Sequence, residues 1–155
     1  MEISTAIKAA LVGSALLYAE DTAGLDVREE LDCLAKNIYF ESRNQPFVGR
    51  LAVAQVTMNR VDSERFPNTV CEVVKQGGER LHRCQFSWYC DGQSDEINDA
   101  KRFREAMDLA ITSYVSGVTD ITEGSLWYHA TYINQPYWAR SKTKTVRINE
   151  HIFYK

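Results

Sequence analysis

The sequence predicts a mainly helical α+β domain that ends in a small antiparallel β-sheet. Apolar residues recur at three- and four-residue spacing in several stretches up to about residue 116, while aromatic and β-branched residues alternate with polar ones beyond Leu126. No linker, repeat or low-complexity tract divides the 155 residues. A chain of that length fits one domain with its own hydrophobic core. Its apolar fraction of 45% and charged fraction of 25% are ordinary for a globular protein.

Residues 1–25 stand apart. Ala9 to Ala19 is an uncharged, mostly apolar run preceded by Lys8, and it is too short to span a bilayer, which takes roughly 20 residues. One reading is the apolar region of an export signal, against which Glu2 and the poor cleavage site Leu17-Tyr18-Ala19 both count. The other is an amphipathic helix that docks on the domain, a membrane or a partner such as a phage tail. Both readings stay open.

From Asp26 the spacing predicts a helix to about Arg43, with Val27, Leu31, Leu34, Ala35, Ile38 and Tyr39 on its apolar face. It stops at Asn44-Gln45-Pro46, because proline disfavours the helical conformation in the residue before it. A second helix from Phe47 to Val61 completes a hairpin, with Leu51, Ala54, Met58 and Val61 on one stripe. Phe66 to Thr69 turns into a short helix from Val70 to Lys75, which Gly77-Gly78 ends. Gly78 to Asp95 has neither period and reads as an irregular loop carrying Gln85-Phe86-Ser87-Trp88-Tyr89 on the surface. The longest helix runs from about Asn98 to Ser116, with Gly117 in the position of a C-cap glycine. Trp127 to Tyr132 and Val146 to Tyr154 each read as one strand.

A net charge of -3 argues against a nucleic-acid partner, which needs a basic face to displace counterions from phosphates. Four cysteines, Cys33, Cys71, Cys84 and Cys90, permit two disulfides in an oxidising compartment. Of the three possible pairings, Cys84 with Cys90 and Cys33 with Cys71 is expected, because the first would close a small loop around QFSWY.

Glu41 follows Ile38-Tyr39-Phe40 directly. Aromatic neighbours strip a carboxyl of hydration and raise its pKa toward the range of a general acid, as a glycosidic leaving oxygen requires. The bland alternative is a solvated glutamate paired with Arg43. Gln85-Phe86-Ser87-Trp88-Tyr89 mixes amide, hydroxyl and aromatic faces suited to sugar rings, or simply covers the core. In Trp127-Tyr128-His129-Ala130, Tyr128 shares a face with Ala130 and Trp127 with His129. His129 is a candidate hydrogen-bond donor to substrate, or a satisfied core histidine. The histidine and cysteine spacings match no zinc motif, and no cofactor signature is present. A cysteine peptidase built on Cys33 with His129 or His151 has the right chain order, but Cys33 lies inside a helix stripe rather than at a helix N-terminus.

Several strings fall in one order: Leu34-Ala35-Lys36-Asn37-Ile38-Tyr39-Phe40-Glu41-Ser42-Arg43, Val56-Thr57-Met58-Asn59-Arg60-Val61, Phe66-Pro67-Asn68-Thr69-Val70-Cys71, Cys84-Gln85-Phe86-Ser87-Trp88, Cys90-Asp91-Gly92, Tyr128-His129-Ala130 and His151-Ile152-Phe153-Tyr154. Together they resemble the SleB/CwlJ family of cell-wall hydrolases, over roughly four fifths of the chain. The resemblance implies a lysozyme-like α+β catalytic domain over residues 26–155. It implies Glu41 as the catalytic acid, with Tyr39, Ser42, Gln85, Phe86, Ser87, Trp88, Tyr128 and His129 near the sugar. It further implies lytic transglycosylase chemistry on peptidoglycan glycan strands, by a monomer needing no metal or cofactor. The enzyme would work in the periplasm, outside the cell or on a phage virion. Asp91 and Glu123 are the candidates for any second acid. An amidase or a non-catalytic wall-binding module are the alternatives. This chain departs from the family at Ser42, Asn44 and Gln45, where FEARGE is usual, and at Asn149, where glycine is usual. Ser42 resembles the Glu-Ser pair of other lytic transglycosylases.

Overall fold

A computed structural model describes residues 26–115 and 118–155. The expectations for residues 1–25 and for Gly117 lie outside these. Four α-helices come first: α1 over 26–42, α2 at Phe47–Val61, α3 at Val70–Lys75 and α4 at Ala100–Val115. Three strands follow, β1 at Trp127–Ala130, β2 at Lys144–Ile148 and β3 at His151–Tyr154. They form one antiparallel sheet in the order β1-β3-β2.

The stripe read for α1 is the core from Leu34 onward, while Val27 at its start is 39% exposed. Leu34, Ala35, Ile38 and Tyr39 are all buried and pack with Leu51 and Ala54 of α2, Val70, Val73 and Val74 of α3, and Ala106, Leu109 and Ala110 of α4. Pro46 ends one helix and starts the next, its carbonyl accepting from Gly49 N and Arg50 N. Two devices fasten α3 to α1. Cys33 and Cys71 form a disulfide with an S–S distance of 2.06 Å, and the Glu30 carboxylate accepts from Val70 N and Cys71 N. Helix α4 begins two residues later than its spacing suggests, because Asp99 caps it by accepting from Arg102 N at 3.0 Å.

A buried amide joins three segments. Asn37 of α1 donates to Thr57 Oγ1 of α2 at 3.0 Å, and its oxygen accepts from Trp88 Nε1 at 2.9 Å. A buried amide with both ends paired is stabilising, whereas either end left unpaired would cost about 1–3 kcal/mol.

The polar side of α2 fixes the approach to β1. Gln55 donates to Thr119 O and accepts from Ile121 N. Asn59 donates to Asp120, Thr122 and Ser125 O. Arg60 Nε donates to Leu126 O at 2.8 Å. A second, smaller apolar cluster of Ala52, Val56 and Phe153, flanked by Tyr128, Val146 and Ile148, holds the sheet on α2.

Two expectations need correction. Val146 to Tyr154 is a hairpin, with Asn149-Glu150 turning between β2 and β3. Asn149 has φ 49°, the left-handed region that asparagine tolerates and glycine prefers. The turn moves the inward face from Val146 and Ile148 to His151 and Phe153, so an unbroken alternation in sequence hid it. The Gln85 to Tyr89 segment is a surface loop only in part, with Gln85 and Ser87 exposed. Phe86 is 2% exposed, Ser87–Cys90 is a 3-10 turn, and Trp88 stacks on Phe40 with centroids 4.6 Å apart. Glycine is required at its base: a Cβ on Gly77 would stand 2.4 Å from Arg83 O. The strand expected to reach Tyr132 ends at Ala130.

Candidate active site

Glu41 lies in the last turn of α1, which aims it at the junction of α2, the Cys84–Cys90 loop and β1. There it lines a cavity of about 130 Å³ with Arg60, Gln85, Phe86, Ser87 and Tyr128. Tyr128 donates its hydroxyl to Glu41 Oε2 at 2.7 Å. Arg60 is 4% exposed, its guanidinium carbon 4.7 Å from the Phe86 centroid and 5.2 Å from that of Phe66. With Nε on Leu126 O, its Nη1 is buried without a hydrogen-bond partner. The Cys84–Cys90 disulfide closes the loop that presents Gln85, Phe86 and Ser87.

Three groups shift one another. Loss of hydration pushes the Glu41 carboxyl above its ordinary range, opposed by the Tyr128 hydrogen bond and the Arg60 charge. Burial likewise lowers Arg60, opposed by Tyr128 and Glu41. Burial raises Tyr128 well above the usual phenol range, helped by the Glu41 charge and the hydrogen bond it donates to that carboxyl. Tyr128 therefore remains a donor at any working pH. A carboxyl raised in this way is suited to giving up a proton, because the resulting anion meets a ready hydroxyl and a cation.

Of the residues singled out in the sequence, Gln85, Phe86, Ser87 and Tyr128 line this cavity with Glu41. The others sit elsewhere. Tyr39 packs edge-on against Phe103, and its hydroxyl accepts from Asp99 N. Ser42 donates to Ile38 O at 2.7 Å and is buried. Trp88 braces Asn37 and Phe40 from behind the loop. His129 faces the opposite side of β1 from Tyr128, with its ring nitrogens on Ala130 O and Tyr154 Oη. Asp91 lines a separate hollow with Phe40, Arg43 and Trp88, and Glu123 is exposed on the segment before β1. A larger hollow of about 300 Å³ between α1, α3 and Trp88 is lined by Glu29, Asp32, Tyr89 and Asp95, but Asp32 and Glu29 pair there with Lys36 and Lys75. Cys33 is bonded to Cys71, which leaves no thiol for a cysteine peptidase.

Sequence reasoning missed Arg60. The signal was position: Val53, Val56 and Arg60 fall at three- and four-residue spacing, so Arg60 continues an apolar stripe of α2.

Residues 44–154 match the family model described as Cell Wall Hydrolase. The fold is similar to the catalytic domain of the Bacillus cereus SleB protein, with a TM-score of 0.64 and 30% identity over 83% of this chain and 91% of that one. It is also similar to the catalytic domain of the germination-specific lytic transglycosylase SleB from Bacillus anthracis, with a TM-score of 0.63 and 30% identity over 81% and 93% of the two chains. The spore cortex-lytic enzyme of Bacillus cereus is 30% identical over 128 residues, 83% of this chain. That of Bacillus subtilis is 30% identical over 124 residues. The chain spans 45% and 37% of the length of these two relatives.

Proposed function

The chain belongs to the cell wall hydrolase family, and from that membership we propose that it cuts peptidoglycan glycan strands between N-acetylmuramic acid and N-acetylglucosamine as a lytic transglycosylase. One observation carries the reading: Glu41 is the single acid in its cavity, desolvated and hydrogen-bonded at 2.7 Å by Tyr128. A retaining glycosidase needs a second carboxyl about 5–5.5 Å away as nucleophile, and an inverting one needs it at about 6.5–9.5 Å to activate water. An intramolecular nucleophile removes that requirement.

In the proposed reaction the protonated Glu41 gives its proton to the bridging oxygen as the C1–O bond breaks, so the departing sugar leaves as an alcohol. Tyr128 and Arg60 hold the resulting carboxylate. The C6 hydroxyl of the muramic residue then attacks C1, and its proton returns to Glu41. The product is a 1,6-anhydro end with the acid restored. Gln85 and Ser87 present an amide and a hydroxyl to the polar edge of the sugar, and Phe86 backs the cavity. The substrate places the work in the cell envelope or outside the cell. Among the described residues, no helix is long and apolar enough to cross a membrane.

Mass spectrometry of digested sacculi tests the reaction. Anhydro-muropeptides are expected, and Glu41→Gln should reduce their release by about 10²–10⁴-fold, the usual worth of a positioned acid. Reducing ends would mean that water is the nucleophile, and free stem peptides would mean an amidase. Release undiminished by Glu41→Gln would overturn the mechanism.

A further inference from the structure

The two faces of the sheet carry different chemistry. Tyr128, Val146, Ile148 and Phe153 close inward on α2. Cross-strand register puts Trp127, Tyr154 and Lys144 together on the outer face, with Ile152 and Arg147 beside them. Trp138 of the 3-10 turn Tyr137–Ser141 covers Tyr154 and His129, which leaves Trp127, Lys144 and Arg147 as the open part. Two further cations converge on Trp127. The guanidinium carbon of Arg65, from the loop after α2, lies 4.6 Å from the ring centroid, and the ammonium nitrogen of Lys142 lies 3.4 Å from it.

No acid answers these charges. None of the four ion pairs found among the described residues involves Arg65, Lys142, Lys144 or Arg147. Lys142 is lowered by lost hydration and by the Arg65 charge, so the two cations feel each other. The whole chain has 18 basic against 21 acidic residues, yet residues 118–155 have five against three. Positive charge is thus gathered on one face of an acidic protein. The face also adjoins the cavity: Phe66 lies against Arg60 on one side and, with centroids 5.9 Å apart, against Trp127 on the other.

We infer that this outer face docks the carboxylates of the peptide stems borne by the glycan that the Glu41 cavity holds. The inference rests on the proposed activity and extends it to what lies beside the scissile bond. Muramic residues carry their stems next to the sugar ring. A strand seated at Glu41 therefore passes a stem over Phe66 to Trp127, where Arg65 and Lys142 meet its carboxylates, with Lys144 and Arg147 further along the sheet. Such a contact selects a peptide-bearing glycan over a neutral one such as chitin.

The test uses the full chain carrying Glu41→Gln, so that binding is read without cleavage, and purified sacculi freed of phosphodiester polymers. Co-sedimentation at low salt should fall about tenfold on adding Lys142→Gln, Lys144→Gln and Arg147→Gln, and should fade as salt rises. Sacculi with their carboxyls amidated should be held as weakly by the parent. Should the triple variant melt early, Arg65→Gln with Lys144→Gln and Arg147→Gln, all exposed, replaces it. Unchanged sedimentation of the folded variant, indifference to amidation, or binding that needs the phosphodiester polymers would each overturn the inference. With Glu41 intact, the substituted enzyme should cut stem-free glycan as the parent does. Cleavage surviving Glu41→Gln would sink the catalytic reading alone and leave the binding comparison standing.

Discussion

Glu41 is an acid held between two opposing influences, and the balance sets its pH response. Burial raises the carboxyl, while Tyr128 and Arg60 stabilise the anion. As the proposed general acid Glu41 works when protonated, so activity should be present below its pKa and lost as pH rises through it. Tyr128→Phe removes a group that lowers Glu41 while leaving the ring that desolvates it. The alkaline limb of kcat/KM should therefore move to higher pH, with kcat reduced because the carboxylate formed on proton transfer loses its donor. A profile that keeps its alkaline limb, or moves it down, would contradict this. Glu41 was marked as a candidate in the sequence by Tyr39 and Phe40, yet the rings that line its cavity are Phe86 and Tyr128, from other segments. Arg60 was not, since its carbonyl partner Leu126 lies 66 residues on and its ring partner Phe86 comes from another segment. Tyr39 and Ser42 drew notice as neighbours of Glu41 in sequence, but the helix turns their side chains into the core.

Among the elements, the two disulfides separate stability from function. Closing a loop of 38 residues should stabilise by about 4 kcal/mol and one of 6 by about 2 kcal/mol on chain-entropy grounds. Replacing Cys33 and Cys71 by serine should therefore lower Tm further than replacing Cys84 and Cys90. The second pair shapes the cavity wall, so its loss should lower glycan release more at 25 °C, where both variants are folded. Thermal melts and product assays on the two variants check the crossover. The β2–β3 turn offers a gain instead. Asn149 stands at φ 49°, and Asn149→Gly should stabilise by up to about 1 kcal/mol, while Asn149→Val should destabilise by about 1–2 kcal/mol, both measurable by urea denaturation. The helices were readable because three- and four-residue spacing is set by the buried face of each one. The hairpin was not, because its two strands bury opposite parities and a polar residue at the turn kept the alternation running.

For the molecule as a whole, the sheet is the lighter partner. The large cluster joins α1, α2, α3 and α4, whereas the sheet rests on Ala52, Val56 and Phe153 and on the polar ties from Gln55, Asn59 and Arg60. Phe153→Ala should cost about 3–5 kcal/mol. Because Phe153 pairs with Tyr128 across the strands, activity should fall below the melting range, as cleavage assays and near-ultraviolet circular dichroism on one temperature ramp would reveal. The fold class was legible from the switch of period along the chain, and the motif order tied it to a family. The segregation of charge onto one sheet face needed the register, which composition does not contain.

Asn37 sits one helical turn before Glu41, and Thr57 three residues before Arg60, while Trp88 directly follows Ser87. The amide that links these three residues is therefore a tie placed one storey beneath the chemistry, with a strut rising from each end. An amide has a donating and an accepting end, so the joint is keyed and cannot be fitted backwards. The azimuth of α1, and with it the bearing of the Glu41 carboxyl, is locked against α2 and the loop by a residue that does not line the cavity.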